Sequence, residues 1–107
     1  MKLDVRSEIR TIDGEVIKEL PSADSKPATL KFVFVNALLA NDPQENADGT
    51  EKYSRWKMAD KINKSFADTG IVELTTEELS KLKSLIGKNY PAGVLGPVFD
   101  IIESAQV

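Results

Sequence analysis

The chain has 107 residues and contains no histidine and no cysteine. Histidine is the side chain that most often transfers protons near neutral pH. Cysteine supplies thiolate nucleophiles and disulfides, and together the two residues are the commonest ligands of transition metals. The sequence therefore predicts no catalytic, cofactor-binding or metal-binding residue, and it favours a protein that is not an enzyme.

Excess positive charge and long apolar runs are also missing. The formal net charge is −3 and the pI is about 5.0, which does not favour general binding to nucleic acid or to anionic membranes. The longest apolar stretch, residues 32–40, is interrupted by Asn36 and is too short to span a bilayer. The N-terminus lacks the apolar run of a signal peptide. These features predict a soluble, cytoplasmic protein without a membrane partner.

An N-terminal β-hairpin is predicted over residues 2–20. Apolar residues fall mostly at alternate positions before Asp13-Gly14, and a second short apolar run follows. Asp-Gly is typical of a two-residue hairpin turn, because both positions tolerate positive φ. We expect strands at 2–12 and 15–20. Since an isolated two-stranded ribbon is only marginally stable, we expect it to pack on other elements.

Four helices are predicted after the hairpin. Apolar residues recur at the three- and four-residue intervals that are typical of a helix. The predicted helices lie near residues 29–41, 51–67, 76–86 and 97–104. The β-branched and aromatic run at 32–35 would also suit a buried strand. A hairpin followed by helices indicates an α+β fold, and we expect residues 1–107 to form a single domain.

Local signals predict the ends of the last two helices. Thr75 and Glu78 have the spacing of a capping box, which begins a helix. Gly87 is well placed to end that helix. Gly96-Pro97 is well placed to begin the last one, because proline is tolerated in the first turn.

Two motifs that resemble catalytic or metal-binding sequences are interpreted as structural. Asp68-Thr69-Gly70 has the letters of an aspartic-protease active site, but a predicted helix follows where such an enzyme needs strands. The acidic segment from Gln44 to Arg55 can be aligned with a calcium-binding loop. However, Gln44 would be its first ligand, and Arg55 stands where a bidentate glutamate is required. We predict a helix end with a turn at the first motif and a solvated loop at the second.

The helix predicted at 51–67 is the one basic segment of this acidic chain. Its candidate interaction residues are Tyr53, Trp56, Lys57, Lys61 and Lys64. One interpretation is a solvated charged face on which Trp56 covers the edge of the core, because large aromatic side chains usually pack. The other is a protein-binding edge, because Trp and Tyr are enriched among interface anchors. The lysine stripe is short and lacks an accompanying motif, so it does not favour RNA or DNA as a partner.

The last predicted helix has a wide apolar arc. The default interpretation is burial in the core, because an arc of this width exceeds what a surface helix needs. The alternative is a homo-oligomer contact through Val98, Phe99 and Ile102.

Several segments together resemble a known group of proteins. They are DGEVIK at 13–18, NALLA at 36–40, EKYSRWKMADKI at 51–62 and VELTTEELSKLKSLIGKNYPAGVLGPVFDIIE at 72–103. The chain resembles, over nearly its whole length, small uncharacterised proteins encoded by tailed bacteriophages and prophages. More loosely, a hairpin ahead of small helices is similar to some phage tail-assembly chaperones. The resemblance implies no catalytic residues.

The resemblance implies an accessory protein that acts by binding another protein. Its partner would be a phage protein in virion assembly or a bacterial protein in host takeover. The protein itself would be located in the cytoplasm of the host cell. One alternative is an inhibitor of a host or defence protein. Another is a small enzyme that uses carboxylate chemistry, which would need a pocket holding a carboxylate with a perturbed pKa.

Overall fold

The computed structural model describes residues 2–18, 26–40 and 48–105, without the side chain of Ala105. These residues contain two short strands and four helices. The elements are β1 (Lys2–Asp4), α1 (Leu30–Leu39), α2 (Gly49–Ala67), β2 (Ile71–Glu73), α3 (Thr76–Asn89) and α4 (Ala92–Ala105). The predicted α+β class is confirmed, with an N-terminal chain reversal, a two-stranded antiparallel sheet and four helices.

Helix α1 forms the centre of the fold because it is apolar on nearly every side. Its buried side chains are those of Leu30, Val33, Phe34, Ala37 and Leu38. Both α2 and α3 pack against α1. The helix begins at Thr29, whose Oγ1 accepts a hydrogen bond of 3.3 Å from the N–H of Phe32. Position 41, where this helix is predicted to end, lies outside the described residues.

The two-stranded sheet joins distant parts of the chain. Strand β1 pairs with β2 in antiparallel register, with Leu3 opposite Val72. Both of these side chains are buried, whereas their neighbours along each strand are exposed. The amide of Val5 continues the pairing by donating to the carbonyl of Gly70 at 2.8 Å. The N-terminal strand is thereby fixed to the connection between α2 and α3.

The N-terminal hairpin is shorter than the predicted one. The turn is present, with Gly14 at a φ of 87° and a bridge between Arg10 and Val16. The prediction of one hairpin strand over residues 2–12 is wrong, because residues 2–4 pair with β2 and Arg10 pairs with Val16. In the register of the Arg10–Val16 bridge, residues 2–4 would lie beyond the end of the predicted strand 15–20. Their backbone groups pair with β2 instead. Positions 19 and 20 lie outside the described residues.

The end of α3 differs from the prediction. Gly87 does not terminate the helix, which continues to Asn89. The helix stops at Tyr90, whose ψ of 142° is the extended value that a following proline imposes. The capping box at the start is confirmed, since the Thr75 and Glu78 side chains each accept the other's backbone N–H.

The start of α4 is also corrected. The helix begins at Ala92 rather than at 97, and Pro97 lies inside it. The carbonyl of Pro91 accepts hydrogen bonds from the amides of Val94 and Leu95. The side chains of Val94 and Leu95 pack against the core, so this extra turn is part of the fold. Pro97 removes one helical donor, whose acceptor would be the carbonyl of the exposed Gly93. Water can replace that donor at an exposed position.

The first two helices lie close to their predicted positions. Helix α2 begins two residues earlier than predicted because Asp48 caps it, with Oδ1 accepting from the N–H of Glu51 at 2.8 Å. None of the described helices is long and apolar enough to cross a membrane.

Candidate functional site

Helix α2 presents an aromatic and basic surface on the side away from the core. Its buried residues are Met58, Ala59 and Ile62. With about 100° of rotation per residue, Tyr53 lies on the opposite side of the helix from Ile62. Tyr53 and Trp56 are 58% and 53% exposed, respectively. Trp56 therefore projects from the helix more than a side chain covering the core would.

Tyr53 and Trp56 stack on one another, and a lysine lies over the tyrosine. The ring centroids are 6.3 Å apart and the ring planes differ by 6°. The Nζ atom of Lys57 lies 5.3 Å from the centre of the Tyr53 ring, within the range of a cation–π interaction. We call these three residues the aromatic face. The structure thus brings together three of the five candidate interaction residues.

The other two candidate lysines are engaged in ion pairs. Lys61 Nζ lies 3.4 Å from Glu78 Oε1, across the space between α2 and α3. Lys64 Nζ lies 2.9 Å from Asp60 Oδ2, one turn away on α2. Their charges are therefore balanced locally, whereas Lys57 of the aromatic face makes no ion pair with a residue that the structure describes.

A groove of about 570 Å³ lies beside the aromatic face, between α2 and the first turns of α3. Both helices pack on α1, and charged side chains connect them across the groove. The lining residues are Thr50, Tyr53, Ser54, Lys57, Met58, Lys61, Thr75, Glu77, Glu78 and Lys81. Tyr53 and Lys57 belong both to the groove and to the aromatic face, so the two form one continuous surface.

Two carboxylates hold this surface in place. The hydrogen bond from Lys81 is the largest cause that lowers the pKa of Glu51; partial burial opposes it and Arg55 adds to it. The Lys81 Nζ and Arg55 Nε atoms each lie 3.1 Å from a Glu51 oxygen. The sequence motifs did not indicate Lys81 as a partner of Glu51, because this contact joins different helices.

Glu78 is the second of these carboxylates. Burial alone would raise its pKa, but the backbone hydrogen bond from Thr75 and the charge of Lys61 outweigh burial and lower it. The Thr75 amide donates to Glu78 Oε1 at 2.9 Å. Both carboxylates therefore stay ionised near neutral pH, and they act as hydrogen-bond acceptors that position the lysines of the groove.

Arg6 fixes the C-terminal end of α2. Its guanidinium donates to the carbonyl of Phe66 at 3.0 and 2.8 Å and to that of Asp68 at 3.0 Å. These carbonyls have no helical partner, because they belong to the last turn or follow it. Gly70 closes the turn at a φ of 82°, with its amide donating to Ser65. The Asp68-Thr69-Gly70 motif thus forms a helix end and a turn.

The structure does not present the predicted oligomer contact on α4 as a surface. Val98 and Ile102 are fully buried in the core of the single chain. Phe99 is partly buried, and Lys83 Nζ lies 5.7 Å from the centre of its ring. The alternative interpretation of these residues as an interface is corrected, because two of the three already contact the chain's own core.

Asp48 and Arg55, which belong to the segment aligned with a calcium-binding loop, both have structural partners. Asp48 caps α2, and Arg55 pairs with Glu51. Residues 44–47 of that motif lie outside the described part of the chain. Within residues 2–18, 26–40 and 48–105, no group of three or more acidic side chains is arranged to hold a metal ion.

Comparisons with models of protein families, with curated protein sequences and with solved structures found no match to this chain.

Proposed function

We propose that the protein is a non-enzymatic accessory protein that acts by binding another protein through the aromatic face of α2. The observation that carries this proposal is the stacked, half-exposed pair of Tyr53 and Trp56. Exposed aromatic side chains leave apolar area in contact with water, and a partner that covers them recovers this free energy. Tryptophan and tyrosine are also the side chains most enriched among residues that dominate binding energy.

The rigid position of this pair adds to the proposal. It lies in the first half of a 19-residue helix that Asp48 caps and Arg6 holds at its far end. A side chain that is already held in place loses little conformational entropy when a partner binds. The adjoining groove offers the partner a concave surface next to the exposed rings.

The resemblance to small proteins of tailed phages supports two settings for such binding. In virion assembly the partner would be encoded by the phage, as for a tail-assembly chaperone. In host takeover it would be a bacterial protein, including a defence protein that this chain inhibits. Either setting would place the protein in the cytoplasm of the host cell.

The experiment is affinity capture of the tagged protein from infected or induced host cells, followed by mass spectrometry. The test variant is Y53A/W56A. The control variant, I12A/L39A, removes two exposed apolar side chains that lie outside α2 and do not line the groove. We expect one stoichiometric partner with the unmodified protein and with the control, and at least tenfold less of it with the test variant.

Stability is measured in parallel, because a misfolded variant would also lose its partner. Since both rings are more than half exposed, Y53A/W56A is expected to lower the unfolding free energy by about 1 kcal/mol or less. Equal recovery of the partner with the test variant would contradict the proposal. The phage or bacterial origin of the partner would distinguish assembly from takeover.

A further inference from the structure

We propose that the partner contributes an acidic segment with an apolar side chain, and that Lys52 and Lys57 hold its carboxylates on the two sides of the Tyr53–Trp56 pair. This inference rests on the proposed function, because it names the chemistry of the partner at the same face. The argument uses the order of side chains around α2, their charge balance and the adjoining groove.

Lys52 and Lys57 flank the aromatic pair around the helix. With about 100° per residue, the order around the exposed side is Lys52, Trp56, Tyr53 and Lys57, which spans about 140°. Lys52 precedes Trp56 by four residues, as Tyr53 precedes Lys57, so each ring has a lysine as its neighbour one turn away. A segment crossing the rings would meet a cation on either side.

Among the residues that the structure describes, these two lysines of α2 have no carboxylate partner. Neither makes an ion pair with any residue that the structure describes, whereas Lys61 and Lys64 each make one. Helix α2 carries five basic and two acidic side chains, a net charge of +3 in a chain whose total is −3. The other residues therefore sum to −6, and α2 carries more net positive charge than any other helix that the structure describes.

The groove beside the rings provides the apolar part of the site. Met58 is 6% exposed and lines the groove next to Tyr53. An apolar side chain of the partner can pack there while neighbouring carboxylates reach the lysines. Opposite charges across an interface also orient the partner as it approaches, which favours a specific direction of binding.

A protein segment fits this face better than a nucleic acid does. A continuous polyanion needs a row of cations along its path. Here Asp60 follows Lys57 by about one turn of α2, and Glu77 lines the groove together with Lys57. Acidic side chains at both places would repel a chain of phosphates, whereas a short acidic segment can avoid them.

Trp56 is the single tryptophan of the chain, so its fluorescence reports on this site alone. The first measurement compares quenching by iodide, an anion, with quenching by caesium, a cation. We expect iodide to quench Trp56 more strongly relative to free N-acetyltryptophanamide, although the whole protein is negatively charged. The preference should fall in K52Q/K57Q and persist in K2Q/K88Q, which removes the same charge from other exposed positions.

The second measurement titrates the protein with short peptides while the Trp56 emission is followed. The probes are a glutamate-rich peptide with central leucines, its lysine-rich counterpart, and an oligothymidylate. We expect the acidic peptide to bind, and K52Q/K57Q to weaken it by about two- to thirtyfold, the range for two exposed ion pairs. Added salt should weaken it as well, and K2Q/K88Q should bind it as the unmodified protein does.

Some outcomes would overturn the inference. They are no preference for iodide, no binding of the acidic peptide, equal binding of the lysine-rich peptide, or tighter binding of the oligothymidylate. The captured partner separates this inference from the proposed function. If Y53A/W56A loses the partner and K52Q/K57Q retains it fully, the aromatic face binds a protein, but the segment of the partner that it binds is not acidic. If both variants retain it, the proposed function itself is wrong.

Discussion

Substitution of Gly70 tests how the end of α2 is held. A Cβ at this position would lie 2.8 Å from Cδ and 2.9 Å from Nε of Arg6, distances that force the arginine to move. Gly70 also has a φ of 82°, which is strained for an alanine. Gly70→Ala should therefore combine backbone strain with loss of the hydrogen bonds that Arg6 donates to Phe66 and Asp68.

The magnitude follows from these two contributions. The left-handed backbone costs an alanine about 1–2 kcal/mol. The exposed guanidinium contributes about 1–2 kcal/mol through three hydrogen bonds and its position over the Phe66 ring, less than buried charged hydrogen bonds would. We expect Gly70→Ala to lower the unfolding free energy by about 2–4 kcal/mol and Arg6→Ala by about 1–2 kcal/mol.

A double-mutant cycle separates the two contributions. In the Arg6→Ala background the collision is absent, so Gly70→Ala should cost only the backbone strain of about 1–2 kcal/mol. The two substitutions together should then cost about 1–2 kcal/mol less than the sum of the single effects. The assay is urea unfolding followed by circular dichroism and by Trp56 emission, for which a two-state transition is expected at this size. Effects that add to within about 0.5 kcal/mol would refute the contact between Arg6 and Gly70 as the cause.

Three further predictions concern charged groups and the Asp-Thr-Gly motif. The pKa of Glu78 is lowered from its ordinary value of 4.5. Its contribution to stability is therefore present above that pH and is lost as the pH falls through the folded-state pKa. Glu78→Gln keeps the cap but should reduce the loss of stability at acid pH, and an unchanged loss would contradict this. The control is Glu77→Gln, which removes a charge from the same turn where no hydrogen bond to a described residue is lost. Burial raises the pKa of Tyr90 above 10.0 despite a hydrogen bond with Asn36. The contribution of Tyr90 to stability is therefore complete below pH 10 and is lost as the pH rises through the folded-state pKa. Tyr90→Phe should reduce the loss of thermal stability at alkaline pH, whereas an identical loss would argue against burial of the phenol. Asp68→Asn should leave stability and partner capture unchanged, because the carbonyl of Asp68, not its carboxylate, accepts from Arg6; loss of a proteolytic activity in that variant would reverse the interpretation of the motif.

The sequence by itself determined the features that depend on neighbouring residues. The turn at Asp13-Gly14 requires positive φ, and Gly14 adopts it. The capping box of α3 needs only Thr75 and Glu78 three residues apart. The apolar repeat of α1, at intervals of three and four residues, likewise indicated a helix. In each case the controlling interactions lie within about one helical turn or one tight turn of the chain.

The ends of α3 and α4 show where local signals compete. Gly87 and Pro97 are both typical of helix boundaries, yet both lie inside helices. Pro91 restricts Tyr90 and so ends α3, and packing of the turn after Pro91 extends α4 toward its N-terminus. The glycine and proline signals are weak preferences that tertiary packing overrides.

Only the tertiary structure decided which apolar residues face solvent and which distant segments pair. Trp56 and Val98 both lie at helical spacing beside other apolar residues, but Trp56 is half exposed and Val98 is fully buried. The side of each helix that docks on α1 or on β1 sets this difference, and no local pattern contains it. The pairing of β1 with β2, like the ion pair from Lys81 to Glu51, joins residues from different parts of the chain. Such contacts form only when the whole core assembles, because their free energy comes from burial and pairing between segments that are independent in the unfolded chain.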